Sequence, residues 1–424
     1  MNAFRTPSLR RDRAAAMPFI MLTVLIDMLS VGLIIPVLPA LVGSFTGSHA
    51  DQTFWYGVVV FAFGVANFIG SPVLGALSDA FGRRPVLLIG FCGLALNFFA
   101  TGLAGALWIL IVVRLFGGAM QANAAVANAY VADITAPEDR AKRFGMLGAM
   151  LGLGFIIGPV LGGLLGSIKL QLPFFVAGCL AMINLLYGYF VLPESLPLDS
   201  RRKFQWKMAN PLSSLEALGQ LSGVGRLVAV VALSGLAQFV LYTCWVLYCT
   251  FKFGWGPRES GWSLAAAGIM QLVVQGFLLK HLLKHFSPQR LAVAGLLSSA
   301  LAYACYGLAS EGWMMFAVIF LNVLGNTVTA SVQSMISGAA DSQSQGRTMG
   351  AVSSVNSLVA VIAPLLGAPL LAIVSQLPRG DWRIGAPFYF GSLLMACALV
   401  FAFLHFRSER RRLATQTDKI GFVA

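Results

Sequence analysis

The chain has 424 residues, of which 58% are hydrophobic and only 11% are charged, and its mean hydropathy is +0.80. A soluble domain carries roughly 25% charged residues, so this composition excludes a soluble protein and indicates many membrane-spanning helices. The formal net charge of +13 could suggest a nucleic-acid partner, but the basic residues follow the membrane topology instead.

Long apolar runs recur along the chain, and about 20 residues suffice to cross the hydrocarbon core. They predict an all-α membrane protein with twelve transmembrane helices, numbered helix 1 to helix 12, in two six-helix bundles. The predicted spans are 17–43, 54–77, 85–105, 107–131, 143–167, 173–192, 226–251, 259–281, 289–309, 312–337, 347–375 and 384–406.

Lysine and arginine distinguish the two sides of the membrane. They concentrate in the N-terminal tail, in the loops that follow even-numbered helices and in the C-terminal tail. The opposite loops hold only Lys169, Lys252, Arg258, Arg379 and Arg383. The positive-inside rule therefore predicts that both termini lie in the cytoplasm. We expect the protein to lie in the inner membrane. The basic excess predicts contacts with anionic membrane lipids and no nucleic-acid site.

A polar segment divides the chain into the predicted domains. These are a cytoplasmic N-terminal tail at 1–16, an N-terminal bundle at 17–192, a cytoplasmic linker at 193–225, a C-terminal bundle at 226–406 and a cytoplasmic C-terminal tail at 407–424. The later part of the linker, 212–221, could lie on the membrane surface as a short helix or be a flexible connection. The six cysteines fall within spans without a C-x-x-C pair, so we expect no disulfide, no metal site and no cofactor.

Asp27 is the carboxylate predicted nearest the middle of the membrane. It lies about ten residues into helix 1, roughly 15 Å deep at 1.5 Å per residue. An ionised group there costs at least about 2.5–3.5 kcal/mol, so its side chain should face a cavity, share a partner or bind a proton. A carboxyl that exchanges protons is what a proton-coupled transporter needs. A carboxyl that only packs and hydrogen-bonds is the alternative.

The stretch GALSDAFGRRPVLL, 75–88, predicts a tight charged turn between helices 2 and 3. Gly75 and Gly82 should let the backbone turn sharply and let two helices approach closely. The charged residues Asp79, Arg83 and Arg84 mark a membrane surface, because they cannot lie in hydrocarbon.

This string resembles the loop signature of the major facilitator superfamily of secondary transporters, although Ala80 stands where a basic residue is usual. The resemblance implies a cytoplasmic loop and two bundles that rock about a central site. It also implies a conformational latch, in which Asp79 and Arg83 interact with Asp133 at the end of helix 4 and with the start of helix 11. The latch would steady the outward-facing state.

Arg114 is the only base predicted at depth, within roughly 5 Å of the depth of Asp27, so the two could pair or alternate. Gln121 and Asn128 follow it at seven-residue spacing, which predicts one inward polar face of helix 4. Hydrogen bonding between helices is the alternative role for that face. The segment 114–135 resembles the helix 4 motif of the superfamily, whose opening arginine is implicated in proton coupling.

The sequence GLGFIIGPVLGG, 152–163, resembles the helix 5 motif of proton-driven antiporters, which symporters generally lack. Its glycines leave a groove and its proline bends the helix locally. These residues are Gly154, Gly158, Pro159, Gly162 and Gly163. A plain packing seam between helices is the alternative.

Three further segments resemble the tetracycline-efflux branch of the drug:proton antiporters. They are VGLIIPVLPAL at 31–41, VADITAPEDRAKRFG at 131–145 and WVLYCTFKFGW at 245–255. Members that export metal–tetracycline have a further acidic residue deep in helix 9, whereas 289–309 contains none. Lys252 also stands at the edge of helix 7 where acids are common. The resemblance therefore implies the branch and leaves the substrate open.

The C-terminal half offers polar and aromatic candidates for the wall of a substrate cavity. They are Gln238, Tyr242 and Trp245 on helix 7, Gln271 and Gln275 on one face of helix 8, and Asn322, Asn326, Thr329 and Gln333 on one stripe of helix 10. Packing between helices is the alternative for each of them.

These features together predict a proton-coupled antiporter, acting as a monomer, that exports amphipathic organic compounds such as drugs. A proton-coupled or passive importer of a small metabolite is the alternative, and the helix 5 motif argues against it. A membrane enzyme or receptor has no support, because the sequence offers no metal set, no nucleophile with a base and no phosphate loop.

Overall fold

The computed structural model describes residues 7–121, 123–135, 139–202, 204, 225–339 and 345–421. These residues form helices, turns and irregular segments, with no β-strand among them. Ten of the helices are long and apolar enough to cross a membrane, and one bent pair adds an eleventh span. Helix 4 is the remaining span, divided into pieces of 14 and 12 residues.

The helices follow the predicted order along the chain. Helices 1 to 6 are Pro7–Ile34, His49–Phe81, Arg83–Gly102, Leu107–Met120 with Asn123–Ile134, Arg140–Ile168 and Leu172–Val191. Helices 7 to 12 are Gly225–Phe253, Pro257–Val273 with Leu279–His285, Pro288–Leu308, Gly312–Leu321 with Val328–Ala339, Gln345–Val374 and Ala386–Gly421. Shorter helical turns are Leu38–Gly43, Leu198–Ser200, Val274–Leu278, Leu324–Thr327 and Trp382–Gly385.

Several spans differ from their predicted form. Helix 1 ends at Ile34 and not at 43, because prolines 36 and 39 interrupt it before the short helix Leu38–Gly43 begins. Helix 8 contains a π-helical turn, and the two pieces of helix 10 are bent by 49°. Helix 12 continues through the predicted tail to Gly421. The surface helix predicted within the linker lies outside the described residues.

Contacts between residues divide the chain into two compact units. Unit 1 comprises Met1–Pro211 with Gly254–Gly268, and unit 2 comprises Leu212–Phe253 with Ile269–Ala424. The first turns of helix 8 thus pack with the N-terminal helices, which the predicted domain boundaries do not include.

In unit 1, helix 1 packs along helix 5, helix 2 along helix 4, and helix 3 along helix 6. Glycines allow the backbones of helices 1 and 5 to touch. A Cβ atom on Gly158 would lie 2.7 Å from the Cα of Gly32 and 2.8 Å from the carbonyl oxygen of Leu29. Between membrane helices such close approach supplies the van der Waals contact that the hydrophobic effect supplies in water.

In unit 2, helix 7 packs along helices 11 and 12, and helix 9 packs along helix 12. Aromatic rings fill the centre of this unit: the ring of Tyr248 lies 4.4 Å from that of Phe388, centroid to centroid. The hydroxyl of Tyr248 donates to the carbonyl oxygen of Tyr306 at 2.6 Å, and the ammonium of Lys252 donates to that of Gly307 at 2.9 Å. Helix 7 therefore satisfies carbonyl groups that the end of helix 9 leaves open.

We expect Gly158→Ala to lower the stability of the protein, because the new methyl group meets backbone atoms that only a separation of helices 1 and 5 can move. Overpacking of this kind costs about 1–3 kcal/mol. The matched control is Gly145→Ala in the same helix, where no described residue lies within 4 Å of an added Cβ. The midpoint of thermal unfolding in detergent should fall for the first variant only. Equal midpoints would contradict the proposed seam.

Candidate functional site

Asp27 and Arg114, the two charged residues predicted at depth, lie in unit 1 but are not paired with each other. No ion pair or hydrogen bond joins Asp27 to another described residue. Arg114 is 6% exposed, its guanidinium lies 6.0 Å from the ring centroid of Phe63, and its Nη2 donates to Thr101 Oγ1 at 3.4 Å. Arg114 thus turns towards helices 2 and 3.

Helix 3 contributes two buried polar residues that the sequence analysis missed, Asn97 and Thr101. Both are 1% exposed or less, and the Thr101 hydroxyl donates to the backbone carbonyl of Asn97 at 2.7 Å. Gly117 of helix 4 faces Asn97, whose amide occupies the space of a Cβ. The sequence does contain a signal for this pair: Asn97 and Thr101 are four residues apart in an otherwise apolar helix, which places both on one face. With Arg114 they form a polar cluster between helices 3 and 4.

The predicted polar face of helix 4 is not one continuous helical face. The first piece of the helix ends at Met120, and Gln121 lies in the turn that follows. Gln121 is half-buried and Asn128 is exposed, whereas Arg114 is buried. Residues seven positions apart share a face only in an unbroken helix, so the break in helix 4 removes the basis for the predicted common face.

The loop between helices 2 and 3 gathers a charged cluster, here called the loop cluster: Asp79, Arg83 and Asp133. Arg83 forms an ion pair with Asp79, and its Nε lies 3.0 Å from Asp133 Oδ2. It also donates from Nη1 to Ser78 Oγ at 2.6 Å, and only 8% of the residue is exposed. A guanidinium between two carboxylates links the end of helix 2 to the end of helix 4. The predicted contact with the start of helix 11 lies outside the described side chains.

The other residues of the loop motif have different roles. Gly82 adopts a φ of +105°, a left-handed conformation that favours glycine. Gly75 lies inside helix 2, and no described residue comes within 4 Å of an added Cβ, so the turn and close approach expected of it are not seen among the described residues. Arg84 forms no ion pair with a described carboxylate, and its Nη2 donates to the carbonyl oxygen of Tyr189 at 2.7 Å, near the end of helix 6.

A cavity of about 340 Å³ adjoins the loop cluster. Its lining adds Leu196 and Arg202, from the segment after helix 6, to the three charged residues of the cluster. Ser195 of the same segment donates to Asp133 Oδ2 at 3.2 Å. This segment is the start of the predicted linker, and no role is evident for it from the sequence alone.

The glycines of the helix 5 motif face two neighbouring helices. Added Cβ atoms on Gly154 and Gly158 would meet helix 1, and one on Gly162 would meet the carbonyl oxygen of Leu33. One on Gly163 would lie 2.5 Å from the carbonyl oxygen of Pro257, where helix 8 begins. Pro159 is buried within helix 5 and lies against Gly32. The packing role left open as an alternative is therefore real, and it sets the position of helix 1.

Helix 7 presents its three candidate residues differently. Gln238 Nε2 donates to the hydroxyl of Tyr242 at 2.7 Å, and Tyr242 is 40% exposed. Trp245 is 3% exposed, and its ring centroid lies 5.1 Å from that of Tyr306, so it belongs to the aromatic core of unit 2 and not to a cavity wall. Helical periodicity places the three residues on one face of helix 7, but it does not show which of them is exposed and which is buried in the core.

Breaks in helices 8 and 10 alter the remaining predicted faces. Gln275 lies within the π-helical turn and Gln271 before it, so the expected common face is interrupted. Asn322 lies at the bend of helix 10, where its side-chain oxygen accepts from Ser298 Oγ at 2.9 Å. Asn326 donates to the backbone carbonyl of Asn322 at 3.3 Å. Asn322 therefore joins helices 9 and 10 at the bend, whereas the hydrogen bond of Asn326 stays within helix 10. Thr329 and Gln333 lie on the second piece of helix 10.

Comparison with known proteins agrees with this architecture. The family described as the Major Facilitator Superfamily matches residues 20–246 and 227–422. The chain is 36% identical to the tetracycline resistance protein, class C, of Escherichia coli, over 87% of this chain and 92% of that protein. It is 33% identical to the class D protein of Salmonella ordonez, over 89% of this chain and 94% of that protein.

A solved structure, that of the human organic anion transporter MFSD10 (TETRAN), has the same fold. Its TM-score is 0.69 at 22% identity, with 92% of this chain and 99% of that chain covered. The match in fold spans both halves of the protein. The chain is therefore a multi-pass membrane protein that belongs to the Major Facilitator Superfamily, on the branch of the tetracycline resistance proteins.

Proposed function

We propose that the protein is a proton-coupled antiporter that exports amphipathic organic compounds across the inner membrane by alternating access. The observation that carries this proposal is the likeness to tetracycline resistance proteins over most of both chains. The relatives' names concern tetracycline; for this chain we propose the broader class of drug-like substrates, because helix 9 holds no carboxylate that could help bind a metal–tetracycline complex.

Orientation is part of the proposal. Both termini, the loop cluster and the segment after helix 6 lie on the cytoplasmic side, where the positive-inside rule puts the basic tails. The protein functions as a monomer in contact with anionic lipids. The loop cluster then acts as the cytoplasmic latch, since its buried arginine holds together the ends of helices 2 and 4.

Asp27 is the proton site in this mechanism. Its carboxylate forms no ion pair with any described residue. A proton or a cationic substrate group can therefore bind it without first displacing a positively charged side chain. Asp27 takes up a proton when substrate leaves outward and releases it when the site faces the cytoplasm. Arg114, whose guanidinium donates to the hydroxyl of Thr101 on helix 3, acts together with Asp27. The two charges influence each other electrostatically, because the interior has a low dielectric constant.

The substrate contacts come from polar groups that remain accessible. Tyr242 and Gln238 form a hydrogen-bonded pair that offers an aromatic face beside an amide. Gln271 and Gln275, also in unit 2, are half-buried and exposed, and we propose them as further contacts. In unit 1, the half-buried Gln121 and the exposed Asn128 are separate candidates. A flat organic molecule with a few polar atoms suits such groups.

The direction of transport can be tested in cells. Overexpression in a host without its own drug pumps should lower accumulation of at least one hydrophobic drug and raise resistance to it. In everted vesicles, drug addition should release protons, seen with a pH-sensitive dye. Faster energised uptake of a nutrient, with no drug effect across a broad panel, would support the importer instead.

Asp27→Asn should abolish drug-induced proton release, because the amide cannot exchange the proton, while substrate binding persists. Asp27→Glu should retain part of the activity with a shifted pH optimum. The measurement is proton release from everted vesicles at matched expression, with Asp51→Asn, near the exposed start of helix 2, as the control. Normal coupling in Asp27→Asn would place the proton site elsewhere.

Asp79→Asn should leave the protein folded and inserted but lower transport by roughly tenfold, as expected when a partly buried arginine loses one of two carboxylates. Transport rate at matched membrane content is the measurement. Glu311→Gln is the matched control, since Glu311 is exposed and its side chain makes no hydrogen bond to the helix it precedes. A variant with the transport rate of the parent protein would exclude the latch.

A further inference from the structure

The segment after helix 6 is bound along its length to the loop cluster and its surroundings. The carbonyl oxygen of Pro193 accepts from the Tyr130 hydroxyl at 3.0 Å, and Ser195 Oγ donates to Asp133 at 3.2 Å. Further on, the backbone N–H of Arg202 donates to the carbonyl oxygen of Asp79 at 3.0 Å. Three successive contacts therefore connect this segment to helices 4 and 2.

The carboxylate of Glu194 contacts four residues. Its Oε1 accepts from the backbone N–H of Arg83 at 2.9 Å, and its Oε2 accepts from that of Arg84 at 3.3 Å. Oε1 also accepts from the backbone N–H of Leu196 at 3.0 Å, and Oε2 lies 3.7 Å from the guanidinium of Arg201. Both oxygens of this carboxylate thus accept hydrogen bonds, and the bonds to Arg83 and Arg84 join residues 111 and 110 positions apart in the sequence.

Helix 3 needs this carboxylate because its own sequence provides no cap. The residue before its first turn is Gly82, which has no side chain to accept a hydrogen bond, and its first turn contains no acidic residue. A helix start leaves N–H groups open, and a carboxylate there satisfies them and favours the helix dipole. A Cβ on Gly82 would collide with Glu194 Oε2, so the glycine also makes the space that the carboxylate fills.

The capped residues include the arginine of the loop cluster. Glu194 holds the backbone of Arg83, while the side chain of Arg83 extends to Asp79 and Asp133. A displacement of that backbone would move the guanidinium away from both carboxylates. The position of the latch arginine therefore depends on a residue that follows helix 6.

We propose that Glu194 is a positioning residue of the latch, capping helix 3 so that Arg83 reaches its two carboxylates. The segment from Pro193 to Arg202, which is the first part of the predicted linker, is then a third element of the latch. This inference rests on the proposed function for its transport readout, but not for its structural one.

The test begins with amide hydrogen exchange, which needs no substrate. In Glu194→Ala, the amides of Arg83 and Arg84 should exchange faster, because their acceptor is gone. Asp199→Ala is the matched control in the same segment, since the Asp199 carboxylate makes no hydrogen bond or ion pair to another described residue. Unchanged exchange at Arg83 and Arg84 would overturn the proposal. If Glu194→Ala does not fold, Glu194→Gln keeps the shape and one acceptor oxygen, and should show a smaller increase.

A double-mutant cycle separates positioning from general stability. Glu194→Ala should lower the transport rate by roughly three- to tenfold, the effect expected when a helix cap is lost. Combined with Asp79→Asn it should cause no further loss beyond the larger single effect, because both act through Arg83. If the fold losses in transport rate of the two single variants multiply in the double variant, Glu194 and Asp79 act independently, and the proposal that both act through Arg83 is contradicted. If the parent protein moves no drug and releases no protons, the proposed function fails, and amide exchange still decides the role of Glu194.

Discussion

The backbone contact between helices 1 and 5 is the constraint on which the N-terminal unit depends. Hydrocarbon offers no hydrophobic force to bring two apolar helices together, so the approach must come from surfaces that fit closely. Gly32 on one helix and Gly154, Gly158 and Gly162 on the other bring backbone atoms of the two helices into direct contact. Helix 1 is thereby fixed in height and rotation, and the position of Asp27 follows. A motif associated with antiporters thus has a direct mechanical meaning here.

The same unit shows how polar groups are used sparingly inside the membrane. Arg114 has a threonine hydroxyl and an aromatic face near it, and no carboxylate within ion-pair distance among the described residues. The loop cluster, at the end of the helices, uses two carboxylates for one arginine. The ion pairs of Arg83 therefore lie at the ends of helices 2 and 4, which they join, whereas the buried Arg114 has only a hydroxyl and an aromatic ring beside it. Weak partners suit a group whose surroundings change during a transport cycle.

Sequence reasoning succeeded where the signal is local or continuous. Runs of apolar residues identified the fold class, and the residues of 75–88 identified the family, because both patterns are read within a short window. It failed where a helix departs from regular geometry. The π-helical turn at Val274–Leu278 and the bend after Leu321 shift the faces predicted from a constant 3.6-residue period. Glu194 could not be found, because its partners lie about 110 residues earlier and no local pattern links them.

The cap of helix 3 also has a consequence for the order in which the protein matures. Helices 2 and 3 leave the ribosome well before residue 194 is synthesised, so the first turn of helix 3 lacks its acceptor during that interval. The turn at Gly82 becomes complete only once helix 6 has been inserted and its following segment has folded back. The hairpin of helices 2 and 3 therefore does not contain its own cap, because the capping carboxylate belongs to the segment that follows helix 6.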